Sequence, residues 1–297
     1  MFDPDVDCRG GALYTTEKTQ IDDVVFEANI ALRGGALFAA AGSTTSLRDC
    51  VFRNNGAAGF VCLRGGAVAL EKGAAKRFQA IGCEFSGNQA ERGGAVALQP
   101  GKAHFENCTF AANQSRFGSC IGVGENFVDA VFLHCTLAGN VGRAFALPGN
   151  SRNPVSYSHR LRLINSIVMD NVDESGISAP VVTTVGDVPQ PSTRPSPAKL
   201  ETSFCILDSK DNVEDAGNSL FNVVPLLEPL SDNGGRTKTR ALPSGSPAID
   251  AGTNAFLDEM LSNDQDGRGE PFARNVDGDG KDGARPDIGA FEFQPQP

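Results

Sequence analysis

Oxygen-bearing side chains alternate through Asn275-Val276-Asp277-Gly278-Asp279-Gly280-Lys281-Asp282, and Asp287 follows. Oxygen donors at positions one, three and five with Gly at six are how an EF-hand-type loop begins to wrap calcium, a hard cation that takes oxygen ligands. The twelfth position is Pro286, where such loops carry a bidentate Glu, so Asp287 is the candidate for closing the shell. The expected ligand set is Asn275, Asp277, Asp279, Lys281 and Asp287, holding a structural calcium ion, with Asp250, Asp264 and Asp266 in the same acidic surround. Without an ion the stretch is an Asp/Gly-rich turn whose carboxylates bond to nearby N–H groups.

A second cluster, Tyr157, His159, Arg160 and Arg162, places a candidate base, acid and cation close together. These are the groups that β-elimination on an acidic polysaccharide requires. Alternation along a strand would put Tyr157 and His159 on one face. Hydrolysis would instead need paired carboxylates, and Asp and Glu are sparse between Gly34 and Val168. Glu84, Glu106 and Asp129 are isolated and are expected on the solvated surface. His104 and His134 are lone histidines, expected in packing or surface roles.

The third candidate is a row of cations, because Arg-Gly-Gly-Ala recurs at Arg9, Arg33, Arg64 and Arg92. Guanidinium groups are good carboxylate binders, so Arg33, Arg64 and Arg92 are candidate contacts for an anionic glycan, with Arg116 one repeat further. Like charges stacked at about 5 Å repel, which calls for interleaved carboxylates such as Glu91 or a covering loop.

What positions these groups is the repeat itself. Between the Arg marks runs a second mark, an apolar residue followed three places later by Asn: Phe26/Asn29, Phe52/Asn55, Phe85/Asn88, Phe110/Asn113 and Leu137/Asn140. A period near 25 to 33 residues means a solenoid. Frequent Gly pairs and Asn exclude long helices, while Ala67-Val68-Ala69-Leu70 and Ala95-Val96-Ala97-Leu98 have strand length. The expected fold is all-β, a single-stranded right-handed parallel β-helix of roughly seven or eight coils, about 35 Å long. Phe stacks inside, Asn turns the corners in the left-handed conformation, and the Gly pair forms a second corner.

Four of the eight Cys, namely Cys50, Cys83, Cys108 and Cys135, share one place in the repeat, two residues before the inward apolar mark. One thiol per coil cannot supply a tetrahedral metal set, so buried free thiols are expected. No run of 18 apolar residues exists, so no membrane-spanning segment is expected, and the N-terminus lacks the pattern of a secretory signal. The chain is expected to be a mature or excised segment, and its uncapped first coil suggests end-to-end stacking on another chain. A formal net charge of -10 argues against nucleic acid as a partner.

The regular marks lapse after about residue 145, and the Pro- and Ser-rich stretch 172–203 is expected to be one long loop. The domain reading is coils over 1–224 and an irregular C-terminal cap region, packed on the helix, over 225–297. The stretch Pro225 to Glu292, ending Asp287-Ile288-Gly289-Ala290-Phe291-Glu292, resembles the C-terminal region of bacterial surface proteins with a choice-of-anchor Q domain. Residues 9 to 140 resemble the Gly-Gly-Ala-Ile and Phe-x-x-Asn repeats of polymorphic outer-membrane proteins, of the pectate-lyase-like β-helix group. These resemblances imply an exported, cell-surface or extracellular module: an adhesin, a glycan-binding face or a structural spacer. Its partner would be a polysaccharide or a host or neighbour-cell surface. The alternative is a lyase acting on a uronate-containing glycan.

Overall fold

In a computed structural model of the chain, the described residues are 8–56, 62–71, 77–124, 127–148, 159–179, 181–185, 200–256, 265–281 and 283–295, with 148 and 182–185 described as backbone only. Short strands follow one another around a coil and pair only with their equivalents one coil away. The first sheet has seven strands, from Leu13–Thr15 to Val182–Val185, and the second has eight, from Lys18–Asp22 to Val213–Gly217. The third also has eight, from Val25–Glu27 to Leu220–Phe221. Every neighbour within these three sheets is parallel and in register, apart from one shift near Thr202/Ser203. The molecule is therefore a right-handed parallel β-helix of seven full coils and part of an eighth.

Inward residues form continuous columns. Phe26, Phe52, Phe85 and Phe110 stack with ring centroids 4.7, 5.1 and 4.7 Å apart and planes within 9° of parallel. Phe78, Phe105 and Phe132 from the second sheet make another aromatic column in the same core. Each buried ring removes on the order of 150 to 250 Å² from water, which is where the coils gain their stability. Cys50, Cys83, Cys108, Cys135 and Cys205 are free and buried, as are Cys62 and Cys120. Burial pushes the Cys205 thiol up to about 12, so it stays protonated. Between the coils of Cys135 and Cys205 this place is held by Ser166, whose Oγ makes the equivalent bond to the Ile164 carbonyl.

The Asn column differs from the expectation in its geometry. Its members do not adopt the left-handed conformation; the residue before each one does: Ala28, Asn54, Gly87, Ala112, Gly139 and Asp170. Asn55, Asn88, Asn113, Asn140 and Asn171 are instead buried. Each amide nitrogen donates to the next Asn Oδ1, and that oxygen also takes the backbone N–H of the preceding Asn, as in Asn55 to Asn88 at 3.0 and 2.9 Å. From Asn55 onward the same nitrogen also reaches a third-sheet carbonyl, Phe52 O in the case of Asn88. The ladder runs unbroken from Asn29 to Asn171.

The Gly pair behaves as expected, with Gly34 at φ 62° and a Cβ on Gly35 falling 2.1 Å from Gly66 O in the next coil. One expectation is corrected, while the coils end within the expected 1–224. The repeat extends to Leu220–Phe221, and the segment expected as a single loop over 172–203 contains Val182–Val185 and Leu200–Ser203, which extend the first and second sheets. Val, Thr and Leu at alternating positions suffice for a strand when a preformed edge lies beside it.

From about residue 225 the chain is irregular, with one two-stranded antiparallel ribbon, Leu230–Ser231 with Thr239–Arg240. It lies along the flank of the helix, covering the outward side of the third sheet from about Glu84 onward. Ile167, Met169 and Ile206 pack there against Leu242, Ala248, Ile288 and Phe291.

Candidate functional site

The C-terminal segment is anchored on a column that the sequence reading passed over. Asp23, Asp49, Gly82, Asn107, His134, Asn165 and Phe204 turn the corner between the second and third sheets, all with positive φ. Asp and Asn tolerate that conformation and also present a polar side chain outward. Arg236 reaches Asp23 at 2.6 Å, Thr237 Oγ1 donates to Gly82 O, and Asn107 Nδ2 donates to Gln265 O. The Asn165 side chain pairs with the backbone of Thr253 at both ends. The signal was legible: from the second member on, each lies immediately before the residue of the Cys column.

Beneath the segment is a buried network of charge. Arg274 is buried and donates to His134 Nδ1, Asn107 Oδ1, Glu292 Oε2 and the carbonyls of Gly289 and Ala290. Desolvation, reinforced by Arg274, holds His134 well below its usual range, so it is neutral and accepts at Nδ1. Arg268 pairs with Asp266 at 2.7 Å between the rings of Phe272 and Phe291. Burial, then the charge of Glu292, holds the Asp287 carboxyl well above its usual range.

This network gives the Asp287 to Glu292 string its meaning. Asp287 accepts N–H bonds from Asp250 and Phe293, Gly289 donates to Asn165 O, and Ala290 donates to Thr136 Oγ1. Glu292 accepts from Asp287 N and Val276 N. Asp287 is thus drawn away from the acidic loop, where the sequence had placed it as a closing ligand. Asp250 lies beside the loop, grouped with Asp277 and Asp279 through carboxylate oxygens all within 4.8 Å of one another. The Lys281 side chain pairs with Asp279 at 3.0 Å. Asp264 and Asp282 lie outside the described residues, and Asp266 belongs to the Arg268 pair.

The Arg column forms in the expected register, Arg9 to Arg33 to Arg64 to Arg92, at the corner before the first sheet. Its fifth rung is Phe117, not Arg116. Arg9 pairs with Glu71 at 2.5 Å and lies over Phe38, while Arg92 and Arg116 both lie over Phe117. Glu71 is thus an interleaved carboxylate of the kind expected on this column. A Cβ on Gly122 would meet Arg92 Cγ at 2.7 Å, so the Arg92 stem covers the outward face of the next coil. Arg64 is exposed, and Arg33 and Arg92 are half-buried.

Of the expected catalytic cluster, Tyr157 lies outside the described residues. His159 is buried, its Nδ1 accepting the Val128 N–H at 3.3 Å, and desolvation lowers its pKa. Arg160 and Arg162 point outward from the second sheet, on a different side of the coil from the Arg column. The constellation of Arg column and His159 around one cleft does not form. Glu84 and Glu106 are buried rather than solvated: Glu84 accepts Lys238 N and Ser86 Oγ, and Glu106 pairs with His104 at 3.1 Å.

The second sheet, by contrast, keeps polar side chains outward and accessible. One column runs Lys18, Thr44, Arg77, Lys102, Asp129, Arg160, and beside it runs Gln20, Ser46, Gln79, His104, Val131, Arg162, Glu201, Glu214. Lys18, Arg48, Arg77, Lys102 and Arg160 are exposed. Among the described residues no helix is long and apolar enough to cross a membrane.

No curated protein and no solved structure gave a significant match to the chain. The family model for a right-handed β-helix region matches residues 10–179, more than half of the chain. That span begins at the first Gly pair and takes in the whole Asn ladder, and by it the chain belongs to the right-handed β-helix family.

Proposed function

We propose that this β-helix is a rigid module of an exported bacterial surface protein, and that it contacts an acidic glycan through the outward face of its second sheet. The observation that carries the reading is the set of accessible cations on that face. In a chain of net charge -10, Lys18, Arg48, Arg77, Lys102 and Arg160 are exposed there, Arg77 and Lys102 on adjacent rungs about 4.8 Å apart, while Asp129, Glu201 and Glu214 lie towards its far end. Such a row meets a polymer bearing one carboxylate per sugar with charge-assisted hydrogen bonds, while the neighbouring Gln20, Gln79 and His104 offer partners to hydroxyls. The third sheet is covered by the chain's own C-terminal segment, which leaves it to stiffen the coils. Resemblance of the repeats and of the Asp287 to Glu292 string to bacterial surface proteins supports export. Adhesion and spacing are both served by a straight stack of coils presenting one open face.

Titration of the chain with polygalacturonate, alginate and a neutral glucan tests the reading. Binding to the two polyuronates that weakens with added salt, and that drops about tenfold or more in an Arg77→Ala/Lys102→Ala double variant, is the expected result. Binding to none of them overturns the glycan contact and leaves a spacer. Release of unsaturated uronate products would move the protein to the lyases.

A further inference from the structure

We propose that Asp250, Asp277 and Asp279, with the side-chain oxygen of Asn275, form a binding site for a divalent cation, calcium by its chemistry. The ion would tie the 275–281 loop to the turn at Asp250, 25 or more residues earlier in the chain.

Three carboxylates with ligand atoms inside 4.8 Å would not by themselves make a site. The independent observation is the burial of oxygens that nothing satisfies. Asp250 is 4% exposed, and its Oδ2 accepts the N–H groups of Gly278 and Asp279 at 3.0 and 2.8 Å. Its Oδ1 is shielded from solvent and has no hydrogen-bond partner, and Asn275 Oδ1 is in the same condition. Buried acceptors of this kind are costly unless a proton donor or a metal ion faces them. A cation at this group would satisfy Asp250 Oδ1 and offset three negative charges, one of which, Asp279, the Lys281 ammonium faces at 3.0 Å.

The donor set decides the class of ion. It contains oxygen alone, with neither His nor Cys, which selects a hard cation over zinc or copper. Its donors come from two separate segments and include an amide, an irregular shell that calcium accommodates and magnesium, with its strict octahedron, does not. Lys281 sits on a flexible, exposed stem and acts as the competitor that leaves when the ion enters. Because Asp287 holds the Asp250 N–H at 2.8 Å, the bound ion would brace the end of the segment that covers the third sheet.

Calorimetric titration of the full chain with calcium chloride and with magnesium chloride, paired with hydrogen exchange, tests this. The expected result is one calcium per chain, magnesium weaker by about tenfold or more, and slowed exchange at 248–253 and at 275–281 together. Asp277→Asn/Asp279→Asn, both accessible positions, should weaken calcium by at least about a hundredfold, and Lys281→Ala should tighten it. Asp250→Asn should behave like the double variant, which carries the test if Asp250→Asn does not fold. No heat with calcium, unchanged exchange, or equal binding by the double variant would overturn the site.

Discussion

Asn88 and Glu292 are both fully buried polar side chains that accept backbone N–H bonds, and the regions they belong to could hardly be organised more differently. The partners of Asn88 are the same atoms of the same residue type one coil away, repeated from Asn29 to Asn171. Glu292 finds Asp287 N, Val276 N and Arg274 once each, from three points in a segment with no period. In the coils, translation along the axis satisfies every rung once the first is satisfied. In the C-terminal segment each polar group needs its own partner, and buried ions supply the strength that repetition supplies elsewhere.

If that contrast is right, damage to the coils and damage to the segment should have different reach. Phe85→Ala removes a ring stacked on both sides and should cost about 4 kcal/mol, lowering protection across the coils in denaturant-dependent hydrogen exchange. Arg274→Met strands buried Glu292 and should cost about 3 kcal/mol, with the loss confined to residues after about 225. Coil amides opening equally in Arg274→Met would erase the distinction.

Gly289→Ala probes the seam between the regions. At φ 112° its new Cβ would approach Ile167 Cδ1 at 2.9 Å and Thr136 Oγ1 at 3.0 Å. About 2 kcal/mol should be lost from docking, read as faster exchange or proteolysis of the segment with the coils intact. The smallest effect lies in the coils. Half-burial, then the charge of Asp170, pushes Asp208 up to about 6 from its ordinary 3.8. The folded state therefore holds this proton more tightly, and its contribution is full below about pH 4 and is lost as pH rises through 6. Asp208→Asn should flatten that slope, worth on the order of 1 kcal/mol after discounting for its exposure, in melts taken across the range.

The coil architecture was legible because a stacked repeat writes each column into the sequence at one spacing. Phe26, Phe52, Phe85 and Phe110 could be assigned inward, and the Gly pair to a corner, before any coordinates. The Asn residues were placed one position off in conformation, since spacing marks the column and not the φ of its members. Val182–Val185 and Leu200–Ser203 escaped because they carry neither mark and become strands by pairing with an edge already built. The polar column from Asp23 to Asn165 was period-locked and readable, but Asp, Asn and His in one column look alike only once their shared left-handed turn and their outward partners are known.

What the sequence determined by itself was what its repeat marks carry: a solenoid, its coil number, its aromatic core, its free thiols and the register of its Arg column. Tertiary structure alone decided which acidic residues lie together. Local spacing proposed Asp287 beside Asp277 and Asp279, yet Asp287 is spent on the backbone N–H groups of Asp250 and Phe293, and Asp250 comes from far earlier in the chain to face the loop. An aperiodic segment has no neighbouring copy to dictate its contacts. Its partners are fixed by the surface on which it lands, and that surface exists only after the coils have folded.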